Sequence, residues 1–136
     1  MNIQVEVIVY LEIQGTIQYL LLKRNELKGG FWQPITGGLE ADEYILDAVK
    51  RELAEETGII EKNIDFIKDL NYVFYFQENN KLYEERVFAV KLSESPCIYL
   101  SDEHVDFKWC TYNEAIMMLK WKDNKNALQL LNDSFY

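Results

Sequence analysis

Between Gly37 and Ile59 the chain reads GGLEADEYILDAVKRELAEETGI. Glu43, Glu52, Glu55 and Glu56 share this window with Arg51, and glycines stand at both ends. Carboxylates crowded into one short segment repel each other, and a divalent cation held among them relieves the repulsion. An all-oxygen donor set of this kind suits Mg2+, with Mn2+ as the other candidate.

Helical geometry sharpens the reading. At about 100° per residue, Ile45, Leu46, Val49 and Leu53 fall within one arc and form the expected core stripe. Asp47, Lys50 and Ala54 fall on the opposite side, toward water. Glu52 with Glu55 and Glu52 with Glu56 have the i,i+3 and i,i+4 spacings that let side chains converge. Glu56 lies near the azimuth of Ile45 and Val49, with Glu52 close to it. These acids therefore border the buried stripe, where a charge is costly unless it is paired or ligated.

The window follows a defined pattern: Gly37, five residues, Glu43, seven residues, then Arg51-Glu52-Leu53-Ala54-Glu55-Glu56-Thr57-Gly58-Ile59. It resembles the Nudix box at every defined position. The resemblance implies a hydrolase of phosphoanhydride bonds in nucleoside diphosphates linked to another group. It also implies a site. Glu52, Glu55 and Glu56, with Gly37 from the preceding loop, are expected at the metal. Glu52 and Glu55 are expected in catalysis, Glu52 as the group that orients or deprotonates the attacking water. Arg51 and Glu43 resemble the family's internal ion pair, which fixes the helix against the Gly37 loop. Glu103, in the segment Glu-His-x-x-x-x-Trp that ends at Trp109, resembles a loop glutamate that approaches the metals in one Nudix subgroup. His104, the single histidine, is expected to be a loop residue bonded to backbone.

The expected substrate contacts precede the box. Arg24, at the end of LLLKR, offers a planar donor fork for phosphate. Trp32 either stacks on a ring or plugs the core, and Gln33 beside it is a candidate substrate contact. Tyr72, Phe74, Phe76 and Trp109 read as sheet packing, and Trp121 as a helix anchor. The segment FWQPITGG resembles the lead-in of dihydroneopterin triphosphate and dATP pyrophosphohydrolase-like Nudix members. WKDNKNAL resembles both these and the asymmetric diadenosine tetraphosphate hydrolases. Trp32-Gln33-Pro34 stands where the diadenosine group more often shows a Trp-x-Pro-Pro-Lys-Gly pattern, and Lys is absent after Pro34; this favours a nucleoside or pterin triphosphate. An asymmetric diadenosine polyphosphate hydrolase is the alternative. A nucleotide-sensing module without turnover is an alternative of another class, and the retained box glutamates speak against it.

Composition bounds these readings. The chain has 136 residues and a formal net charge of −9. The acidic balance argues against a nucleic-acid polymer or an anionic membrane surface as partner. A small phosphoanhydride substrate remains compatible, because a bound cation supplies the positive charge. No apolar run reaches membrane-spanning length, and the N-terminal MNIQVEVIVYLEIQ lacks a basic leader region. Cys97 and Cys110 are expected as free thiols of a cytoplasmic protein. A monomer or homodimer is expected.

The elements that must position the box are short. Strands are predicted over 4–12 and 17–23, joined by the Gly15 turn, then a loop over 25–30 and an extended piece over 31–36. Asp42 is the predicted helix cap and Gly58 the predicted stop. Strands over 64–77 and 82–92 form a second hairpin, and a short strand covers 106–111. Asn113 is the predicted cap of a helix ending near Leu119, and another helix covers 124–131. The pattern alone gives one α+β domain over residues 1–136, a sheet layer with helices on it. The Nudix resemblance implies more, an α/β/α sandwich with a mixed sheet between helices.

Overall fold

The computed structural model describes residues 2–136. Its strands are β1 (Asn2–Ile13), β2 (Thr16–Arg24), β3 (Trp32–Gln33), β4 (Ile35–Gly38), β5 (Ile64–Glu78), β6 (Lys81–Leu92) and β7 (His104–Cys110). Its helices are α1 (Ile45–Thr57), α2 (Tyr112–Met118) and α3 (Lys122–Asp133). Both long hairpins close on two residues with positive φ, Gln14-Gly15 and Asn79-Asn80. Such turns match the right-handed twist of the strands they join.

The sheet is mixed. β1 pairs in parallel with β6 through Val5↔Arg86 and Val7↔Phe88, while β5 runs antiparallel to β6. β1 and β2 pair only where Tyr10–Ile13 faces Thr16–Tyr19. Beyond that point they diverge, and β3 and β4 fill the gap. β3 lies on β2 through Leu22↔Gln33, and β4 lies on β1 through Val5↔Gly37. β7 covers the outer side of β2. The start of the acidic box is thereby drawn into the middle of the sheet.

Both faces of the sheet are covered. Val5, Val7, Val9, Leu20 and Leu22 pack with Ala48, Val49 and Leu53 of α1. Ile8, Tyr10, Tyr19 and Leu21 pack on the other face with Ala115 and with Ala127, Leu128 and Leu131 of α3. The architecture is the sandwich, not a sheet with one wet face. The cause lies in β1, whose alternate side chains are buried on both sides because β6 pairs with it in parallel between two helical layers.

Local corrections concern the helix starts. Asp42 does not cap α1. It sits at φ 61° in the preceding turn, and Tyr44 occupies the cap position without a side-chain bond. Thr111, not Asn113, caps α2, through a capping box with Glu114. Gly58 ends α1 at φ 75° as predicted. Leu46 is 48% exposed, and Ala48 is buried in its place. Leu46 shares its azimuth with Leu53 and Thr57 but lies in the first turn of the helix. Both cysteines are free, Cys97 exposed and Cys110 buried. Among the described residues, no helix is long and apolar enough to cross a membrane.

Candidate active site

α1 presents its acids to the sheet. Glu52 and Glu56 are 6% and 5% exposed and belong to the buried face of the helix with Ala48, Val49, Leu53 and Thr57. Glu52 packs directly on Gly37. A Cβ built on Gly37 would lie 1.9 Å from Glu52 Cδ, so only a glycine leaves room for this carboxylate.

Arg51 is the hub of the site. Its Nε and Nη2 donate to Glu43 Oε2 and Oε1 at 2.9 and 3.0 Å, a bidentate pair. Nη2 also donates to the Gly38 carbonyl at 2.7 Å, and Nη1 to Glu52 Oε1 at 2.8 Å. Glu55, more exposed, reaches the same Nη1 at 3.4 Å. One guanidinium thus ties the helix to the β4 end and to both neighbouring acids. The hydrogen bond from Arg51 holds the Glu43 carboxyl below its usual range.

The carboxyls of Glu52 and Glu56 are shifted in opposite directions. Burial pushes Glu52 up to about 7, with Arg51 opposing and the charges of Glu55 and Glu56 adding. Burial acts on Glu56 in the same direction but is outweighed by His104, Ser101 and Glu103, and its pKa falls below the usual range. His104 Nδ1 stands 2.8 Å from Glu56 Oε2 without the alignment of a hydrogen bond, and Ser101 Oγ donates to that oxygen at 3.0 Å.

The other predicted residues separate into groups. Glu103 is brought beside Glu56, half-exposed, with Lys28 Nζ 3.4 Å from its Oε1. Arg24 ends β2 with its guanidinium 5.6 Å from the Phe31 ring centre, and its buried Nε has no acceptor. Trp32 packs into the core on the α2/α3 side and bridges to Leu119. Gln33 is buried, its amide nitrogen 3.5 Å from His104 Nε2. Trp121 is half-exposed and meets Phe31 edge-on at 5.8 Å.

Two features escaped the sequence reading. His104 is not a loop residue bonded to backbone: its side chain is 3% exposed and faces Glu56. Its adjacency to Glu103 was the available signal, but the direction of its ring was not. The second feature is a pair of buried acids on the opposite face, Glu6 of β1 and Glu85 of β6. Asn124 of α3 donates to Glu6 Oε1. Burial drives both carboxyls up, Glu85 to about 8.

The donor set fits a hard divalent cation. The candidate ligands Glu52, Glu55, Glu56 and Glu103 all offer oxygens, and Glu52 and Glu56 are both deeply buried. Among the described residues no three His, Cys, Asp or Glu side chains converge on one point, and Arg51 holds Glu52 Oε1 at 2.8 Å.

Known proteins share this architecture. A dihydroneopterin triphosphate diphosphatase from Haemophilus influenzae is 28% identical over 134 residues, covering 90% of this chain and 84% of that protein. An asymmetrical bis(5'-nucleosyl)-tetraphosphatase from Mus musculus is 31% identical over 124 residues, covering 85% of this chain and 78% of that protein. The crystal structure of a C. elegans Ap4A hydrolase binary complex superposes with a TM-score of 0.90 at 23% identity, covering 99% of this chain and 98% of that one. The chain spans only 31% of a Myxococcus xanthus octanoyltransferase, to which 81% of it aligns at 37% identity over 112 residues. The family model for the NUDIX domain matches residues 3–132, and the chain belongs to the Nudix family of hydrolases acting on phosphoanhydride bonds.

Proposed function

We propose that the chain is a Mg2+-dependent pyrophosphohydrolase, also served by Mn2+, that cleaves a nucleoside triphosphate resembling dATP, or a pterin triphosphate, to monophosphate and pyrophosphate. The observation that carries this reading is the geometry of the box: Glu52 and Glu56 are buried together on α1, with Glu52 seated on Gly37 and held by Arg51. The opposite pKa shifts of the two carboxyls support a division of labour between proton acceptor and anion.

Glu52, Glu55 and Glu56, with Glu103 and the Gly37 backbone, would hold the cation. When bound it neutralises phosphate charge and lowers the pKa of water. The chain's own residues supply the rest. Glu52, its pKa raised to about 7, accepts the proton of the attacking water in its ionised form. Arg51 orients Glu52 and is itself fixed by Glu43. Arg24, whose guanidinium has no carboxylate partner among the described residues, steadies the phosphate chain. The substrate is a small molecule, met in the cytoplasm by a monomer or homodimer. Gln33, buried against His104, contacts it only through its backbone or after a side-chain shift.

The triphosphate reading draws support from the Trp-Gln-Pro lead-in and the dihydroneopterin relative. The tetraphosphatase relative supports a second reading, an asymmetric diadenosine polyphosphate hydrolase. A pyrophosphate- and phosphate-release screen separates them. It covers deoxynucleoside, ribonucleoside and pterin triphosphates, diadenosine tetraphosphate and nucleotide sugars, with Mg2+ and with Mn2+. Fast turnover of a triphosphate supports the proposal. Turnover of diadenosine tetraphosphate alone replaces it with the second reading, and binding without turnover of any compound replaces it with a sensor.

A further inference from the structure

We infer that His104 is the positioning residue of this site: it fixes the Glu56 carboxylate from below, so that Glu56 offers its free oxygen to the cation in one orientation. The inference rests on the hydrolase reading above and concerns a residue that this reading does not use.

The geometry comes from one segment clamped onto the end of α1. Tyr99 N donates to Thr57 O at 2.9 Å, and Ser101 Oγ donates to Glu56 Oε2 at 3.0 Å. His104 Nδ1 approaches the same oxygen at 2.8 Å, with side chains 3% and 7% exposed. From the other side, Asn25 N donates to the Glu103 carbonyl at 3.0 Å. The imidazole is thus held between α1 and β3. Its Nε2 faces the Gln33 amide nitrogen at 3.5 Å. A proton on Nδ1 suits both neighbours: the N–H side of the ring stands 2.8 Å from the carboxylate, off the line of a hydrogen bond, and Nε2 is left to accept from Gln33. Glu56 Oε2 thus accepts from Ser101 with His104 beside it, and the second oxygen is left for a ligand. Partners that orient a ligating carboxylate are typically worth about 10–100-fold in metal affinity or activity.

The test uses the full chain, with Mn2+ affinity read by electron paramagnetic resonance beside turnover of dATP and diadenosine tetraphosphate. His104→Leu should weaken Mn2+ binding by about tenfold or more and lower kcat more than it changes KM. His104→Asn, whose amide nitrogen takes the place of Nδ1, should restore both to within about threefold of wild type. If His104→Leu does not fold, His104→Gln carries the test. Its amide nitrogen reaches the Nε2 position and Gln33 but not Glu56, so the same loss is expected. Wild-type Mn2+ affinity and turnover in the Leu or Gln variant overturns the inference, and so does an Asn variant as impaired as Leu. The hydrolase reading fails separately, if the wild-type chain neither binds Mn2+ nor turns over either probe. If Glu56→Gln impairs both readouts and His104→Leu neither, only the present inference falls.

Discussion

Glu52 packs its carboxylate onto the bare Cα of Gly37, closer than any side chain at that position allows. This contact seats Glu52, the proposed proton acceptor, against the end of β4. It also explains why a glycine is needed at a position whose φ is not in the left-handed region.

Gly37→Ala should therefore act on the chemistry through Glu52. The added methyl meets Glu52 Cδ, and the side chain must leave its place. A displacement of about 1 Å at a reacting group costs up to about a hundredfold, so turnover should fall at least about tenfold while far-UV circular dichroism stays unchanged. Wild-type turnover in this variant would remove Glu52 from the proton-transfer role.

Cation binding should stabilise the protein. The acids of α1 repel each other without a cation, and a ligand that binds only the folded state raises its stability by mass action, about 2.7 kcal/mol at a hundred times Kd. Mg2+ or Mn2+ should raise the melting temperature, and the rise should shrink in Glu52→Gln and Glu56→Gln. Equal rises in all three proteins would mean that the ion binds elsewhere.

The buried acid pair on the other face sets a pH dependence. Glu85 is raised from 4.5 to about 8 by burial and by the charge of Asp123, and Glu6 is raised as well. The folded state thus holds protons that the unfolded state releases. The stability of the protonated pair is fully present below about pH 4.5 and is lost as pH rises through about 8. Urea midpoints without added metal should fall between pH 5 and 9, and Glu85→Gln should flatten the slope. Glu52 titrates in the same direction, so the difference between the two slopes is the quantity that decides. Parallel slopes would show that Glu85 is ionised throughout.

Glu103 should matter for rate more than for folding. It is half-exposed, and its ion pair with Lys28 at 3.4 Å is of the surface kind, worth little to stability. Glu103→Ala should lower turnover at least about tenfold, about 1.4 kcal/mol, with little change in melting temperature. Unchanged turnover would make Glu103 an ordinary surface acid.

With a triphosphate substrate, water should attack the α phosphorus. In the proposed site, a cation on the α1 carboxylates and Arg24 at the β2 end would place positive charge where a leaving pyrophosphate gathers negative charge. Hydrolysis in 18O-labelled water, read by mass spectrometry, should put the label in the monophosphate. Label confined to pyrophosphate would move the attack to the β phosphorus, and release of orthophosphate would contradict a pyrophosphohydrolase.

The chain's local patterns were readable without coordinates. Glu52, Glu55, Glu56 and Arg51 lie within two helical turns, so spacing alone brought them together, and Gly58 stopped the helix through its own backbone freedom. The hairpins were equally local. Helix starts were not, because Tyr44 and Thr111 took the cap positions from nearby residues of suitable type. Side-chain destinations across the sheet lay further out of reach. Glu6, an acid within β1, is buried because the parallel β1–β6 pairing lies between helices on both faces. Ser101 meets Glu56 from 45 residues away and Gln33 meets His104 from 71. The box residues determined the chemistry by contiguous spacing. Which carboxyl stays charged, and what holds it, was decided only when the tertiary fold buried them together and set the partners beside each.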